Sequence, residues 1–103
     1  MSDENEEEWP VIYKYTAEDA VNDGVFVHIG NVNNEKVYFT RNLFEQGYEN
    51  EKKRLDLVQR GLQMLSQSDP EDTDYMHLRV IERGRIWVVR NGEGITYMLP
   101  SDY

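Results

Sequence analysis

The chain has 103 residues, no cysteine and a formal charge of −9 at pH 7. That length suits one domain built on one core, and the lack of thiols excludes disulfides, thiolate zinc sites, iron–sulfur clusters and thiol catalysis. Five carboxylates, Asp3, Glu4, Glu6, Glu7 and Glu8, crowd the N-terminus without a compensating base, which leaves −4 for Trp9 to Tyr103 and makes the main body only mildly acidic.

Residues 1–9 read as a disordered acidic tail, because clustered like charges repel and offer nothing to bury. Residues 10–103 read as a single domain. The start, Met1-Ser2-Asp3-Glu4, lacks the basic stretch and apolar run of a secretory signal. No segment approaches the ~20 apolar residues that span a bilayer, so the expectation is a cytoplasmic protein without membrane contact.

Val11 to Tyr15 is a short β-favouring run and predicts a first strand. Thr16 with Asp19 three residues on predicts a capped helix of about two turns, with apolar Ala17, Ala20 and Val21, ended at Asn22-Asp23-Gly24. Val25 to Ile29 is rich in β-branched and aromatic residues and predicts a buried or half-buried strand closed by Gly30. After the turn-rich Asn31 to Glu35, Lys36 to Phe39 predicts a short strand or an extended lead into Thr40, which caps a helical turn through Leu43 and Phe44 stopped by Gly47.

The period then changes. Leu55, Val58, Leu62 and Leu65 recur at helical spacing opposite Lys52, Lys53, Asp56, Gln59 and Gln63, predicting a helix from Asn50 to Ser66. Gly61 inside it costs about 1 kcal/mol relative to Ala and marks a close approach to another element. Tyr75–Glu82, Arg85–Arg90 and Ile95–Leu99 predict an antiparallel meander joined by Gly-containing turns. Alternation places Met76, Leu78 and Val80 with Trp87 and Val89 on one face, expected beneath the helix. The opposite face, His77, Arg79, Ile81, Ile86, Val88 and Arg90, is then the expected exposed interaction surface.

The fold class is therefore α+β: a small antiparallel sheet of four or five strands packed on one main helix. Trp87, Val89, Leu78, Val80, Leu55, Val58, Leu62 and Leu65 are the expected core.

Two stretches resemble a family of small uncharacterised prokaryotic proteins often carried on plasmids and phages. One runs from Tyr15-Thr16-Ala17 through Asp23-Gly24 to Val25-Phe26-Val27, and the other is Thr96-Tyr97-Met98-Leu99-Pro100-Ser101-Asp102. His28 stands where that family tends to carry an acidic residue. The resemblance implies a shared fold, and it supplies neither an activity nor site residues.

Chemistry-bearing residues are sparse. His28 and His77 stand alone, without a partner at ligand spacing. Asp19 and Asp23 share a helix face, but capping and turn formation account for both. Asp69, Glu71, Asp72 and Asp74 surround Pro70 without the Gly and final Glu of a calcium loop. Phosphate-binding glycine loops and nucleophile elbows are missing. Lys52, Lys53, Arg54 and Arg60 on the helix, with Arg79, Arg83, Arg85 and Arg90 on the meander, would have to converge to hold nucleic acid, and interleaved acids oppose that. The reading is a non-catalytic accessory or protein-interaction module with no catalytic residues, metal or cofactor. The alternative is an acidic nucleic-acid mimic that inhibits a DNA-binding protein, and the third is an enzyme whose site is assembled from distant residues.

Overall fold

The computed structural model describes residues 15–103. The acidic tail and all of the expected first strand except Tyr15 lie outside these residues, and Tyr15 precedes the first helix without joining a strand.

The elements follow as α1 (Ala17–Asn22), β1 (Phe26–Val32), β2 (Glu35–Thr40), α2 (Arg41–Phe44), α3 (Glu51–Leu65), β3 (Met76–Ile81), β4 (Ile86–Asn91) and β5 (Gly94–Met98), with a closing 3-10 turn at Pro100–Asp102. Side-chain caps start each α-helix. Thr16 Oγ1 accepts from the Asp19 amide at 3.0 Å while the Asp19 carboxylate accepts from the Thr16 amide at 3.1 Å, a reciprocal capping box. Thr40 and Asn50 cap α2 and α3 by accepting from Leu43 N and Lys53 N.

The described strands form one sheet in the order β1-β2-β5-β4-β3. Its pairs are antiparallel except β2 with β5, where Val37, Tyr38 and Phe39 run parallel to Ile95, Thr96 and Tyr97. The α+β class is as expected, but the sheet is mixed. A locally built hairpin and a locally built meander meet along this seam. Gly94 permits the meeting, because a Cβ there would run into the Lys36 carbonyl on β2.

Helix α3 packs on the face that carries Val37, Phe39, Ile95, Tyr97, Val88, Ile86 and Ile81, all buried. This inverts the expected face, since alternation alone predicts Ile81, Ile86 and Val88 to be exposed. Leu55 is 53% exposed and Val80 45%, Leu78 and Trp87 are half-buried, and of the expected core only Val58, Leu65 and Val89 are fully enclosed. The helix meets the sheet along Leu57, Val58, Gly61 and Leu65, a stripe one step round from the expected one.

Gly61 explains that rotation. A methyl group on it would overlap the ring and hydroxyl of Tyr97, so β5 and α3 approach closely only because the side chain is absent. The Tyr97 hydroxyl donates to the Val58 carbonyl at 2.7 Å, and its ring lies 5.2 Å from that of Phe39. Burial pushes the Tyr97 hydroxyl well above the ordinary phenol value, so it remains a donor. Burying each such ring contributes about 1.5–3 kcal/mol, and this pair forms the centre of the core.

Candidate interaction surface

Of the expected interaction face, Arg79, Ile81, Ile86 and Val88 are buried inside the domain, while His77 and Arg90 are half-buried. Arg79 is only 6% exposed and uses all of its donor groups. Its Nε donates to the Met64 carbonyl, Nη2 to the Gln67 carbonyl, Nη1 to the Leu78 carbonyl, and both Nη atoms to the Asp72 carboxylate at 2.6 and 2.7 Å. The guanidinium thus completes the C-terminal end of α3 and pins the loop behind it to β3. Its hydrogen bonds hold the Asp72 carboxyl below the usual carboxylate range, and desolvation only partly opposes them. Arg90 pairs with Glu35 at 2.8 Å across the sheet. His77 is half-buried beside this cluster, with Nδ1 3.9 Å from Asp72 and without a hydrogen-bond partner.

The other sequence candidates do not converge. His28 lies over the Tyr38 ring at 5.4 Å and shares a hydrogen bond with Asn31. Asp19 caps α1, and Asp23 accepts from the Tyr15 hydroxyl at 2.9 Å. Asp69 accepts from the Glu71 amide within its own loop. Lys53 and Arg54 lie against Tyr48 and Phe44, and Arg60 pairs with Glu82. Among the described residues no group of three or more His, Asp and Glu side chains is placed to hold a metal ion. Within the same residues no helix is long and apolar enough to cross a membrane.

Among the described residues the sheet face opposite α3 is covered unevenly. Helix α1 lies over its β1 side, where Ala17, Ala20 and Tyr38 are buried, and Ala17 N donates to the Glu93 side chain in the β4–β5 turn. Beyond α1 a hollow of about 260 Å³ opens, lined by Tyr15, Phe26, Met76, Val89, Met98 and Tyr103 among others. Past it lies an apolar strip. Val80 stands directly opposite Trp87 in the β3–β4 ladder, Met76 and Leu78 precede it on the same side, and the Tyr103 ring sits 5.4 Å from Trp87. Tyr103 is 68% exposed and its hydroxyl contacts Met76 Sδ at 3.8 Å. Asp69, Glu71 and Asp72 rim a groove of about 520 Å³ whose floor is Met76, Leu78 and Val80.

The outer edge of β3 is guarded. Thr73 donates its amide to the Met76 carbonyl at 3.1 Å and accepts from the Met76 amide at 3.0 Å, and Arg79 occupies the Leu78 carbonyl. By alternation the next outward-facing pair belongs to Val80. At the opposite edge a bulge between His28 and Gly30 breaks the β1 register. Among the described residues both edges are thereby made poor templates for strand addition, and the sheet face opposite α3 is the larger open surface.

Sequence reasoning missed a second anchor. Asp102 accepts from Thr40 Oγ1 and Asn42 Nδ2, both at 2.8 Å, and from the Leu99 amide, so the Pro-Ser-Asp ending locks to the β2–α2 junction. The closing Pro-x-Asp pattern is the only sign of it in the sequence. No family model, curated protein or solved structure matches the chain.

Proposed function

We propose that this protein is a non-catalytic interaction module and that it docks a partner on the strip formed by Met76, Leu78, Val80, Trp87 and Tyr103. The observation that carries the reading is the uneven cover of the outer sheet face: α1 shelters one side, while an exposed Val80 and a Trp–Tyr pair remain at the other. Aromatic residues and Met are the types enriched where partners bind, and an apolar centre with a polar rim is the usual anatomy of such a surface. The acidic rim at Asp69 and Glu71 favours a partner segment with apolar anchors flanked by Lys or Arg.

The test is selection of a random 12-residue phage-displayed peptide library against the immobilised full chain. Enriched peptides should combine aromatic or aliphatic anchors with basic residues, and Val80→Glu should weaken them at least tenfold. Val80 is exposed, so that variant should keep its denaturation midpoint. Failure to enrich any peptide, or peptides indifferent to Val80→Glu, would remove this reading.

A further inference from the structure

The β4–β5 turn runs Asn91-Gly92-Glu93-Gly94 and holds the only Asn-Gly pair in the sequence. Such a pair suits a tight turn, because Gly brings no side chain and Asn can hydrogen-bond its own backbone two residues on. Here Asn91 Oδ1 accepts from the Glu93 amide at 2.9 Å. The same arrangement favours an internal reaction. Attack by the Gly92 nitrogen on Asn91 Cγ closes a five-membered ring, an intramolecular step that needs no second molecule. Negative charge then develops on Oδ1, where the Glu93 N–H already donates and stabilises it as an oxyanion donor does. Among the described residues nothing shields the site: Asn91, Gly92 and Glu93 are exposed, and a Cβ built on Gly92 meets no atom within 4 Å. Hollows of about 490 and 210 Å³ border Asn91 and Gly92, so water reaches the turn.

We propose that Asn91 is a site of spontaneous covalent modification in this protein, and that the reaction loosens helix α1 from the sheet. The Gly92 nitrogen bonds to Asn91 Cγ, the bond from Cγ to the side-chain nitrogen breaks, and ammonia leaves with the amide proton relayed through water. Water then opens the succinimide at either carbonyl, which puts an aspartyl or an isoaspartyl residue in place of Asn91. The isoaspartyl product routes the main chain through the former side chain and lengthens it by one methylene. Asn91 closes two ladders, opposite Met76 on β3 and Gly94 on β5. Glu93 holds the Ala17 amide at the start of α1, and Gly94 sits against the Lys36 carbonyl. An added methylene next to Gly92 therefore displaces the side chain that fastens α1 to the turn, while α3, on the far side of the sheet, keeps its contacts.

Incubation of the full chain at mildly alkaline pH and body temperature, followed by peptide mass mapping, should show a gain of one dalton at Asn91 at least fivefold faster than at any other Asn. Gly92→Ala should slow that gain at least fivefold by crowding the attacking nitrogen. The variant should fold, since its Cβ meets nothing and the Gly92 backbone lies outside the left-handed region. The folded chain should react at no less than a third of the rate of the urea-unfolded chain. In the isoaspartyl fraction, identified with an isoaspartyl methyltransferase, the Ala20 amide, bonded to the Thr16 carbonyl in α1, should exchange its hydrogen at least threefold faster. Leu62 in α3 should exchange as before. An Asn91 that stays intact, or that reacts only once the chain is unfolded, overturns the site. A modified chain with unaltered exchange at Ala20 overturns the loosening of α1.

Discussion

Replacing Gly61 by Ala tests the closest contact in the core, because two opposed effects predict opposite signs. In a helix interior the change gains about 1 kcal/mol of propensity. Against that, the new methyl would overlap the Tyr97 ring and hydroxyl. Overpacking of this kind costs about 1–3 kcal/mol, and displacing the hydroxyl from the Val58 carbonyl removes a buried hydrogen bond worth about 1 kcal/mol. The expected net is a loss of about 1–3 kcal/mol, which for a domain of this size lowers the thermal midpoint by roughly 5–20 °C. Urea denaturation followed by circular dichroism, with the slope held constant, measures it. The companion variant Tyr97→Leu vacates the space, so in that background Gly61→Ala should reverse sign and stabilise by up to about 1 kcal/mol. If Gly61→Ala raised the midpoint of the otherwise unaltered chain, propensity alone would govern the site and the claimed approach of α3 to β5 would be refuted.

Arg79→Lys keeps the charge but cannot serve Met64, Gln67 and Asp72 together; at about 1 kcal/mol per lost hydrogen bond it should destabilise by about 2 kcal/mol, and a midpoint matching the parent would contradict the clamp. Because the folded Asp72 carboxyl is depressed relative to its unfolded value near 3.9, its contribution is complete above about pH 4 and is lost as pH falls through the lower folded value. Urea titrations between about pH 2 and 6 should therefore show a shallower acid loss in Asp72→Asn than in the parent, and parallel curves would exclude the assignment.

The local parts of the fold were legible because each is set by a few neighbouring residues. Thr16, Thr40 and Asn50 start helices where a side-chain oxygen can reach the next turn, and the β3–β4–β5 meander follows from alternation and turn chemistry. The buried face was not legible, because Ile86-Trp87-Val88-Val89 is apolar on both sides of β4 and alternation cannot choose between them. The choice came from distant partners: Tyr97 needed the gap at Gly61, and Arg79 needed the carbonyls at the end of α3. Arg79 read as a surface cation because nothing in its own strand discloses the acid and helix end that enclose it. The same inversion hides the apolar strip, since alternation alone places Leu78, Val80 and Trp87 in the interior.

The parallel seam between β2 and β5 bears on the order of folding. The hairpin and the meander are short-range structures of the kind that form in microseconds, whereas the seam joins distant parts of the chain, as does the Thr40–Asp102 bond across 62 positions. Loop closure must precede any reward from these contacts. The two halves should therefore assemble separately and fasten last, with α3 laid down as they close, so that lesions at Gly94 or Asp102 slow the final docking step while leaving each half able to begin.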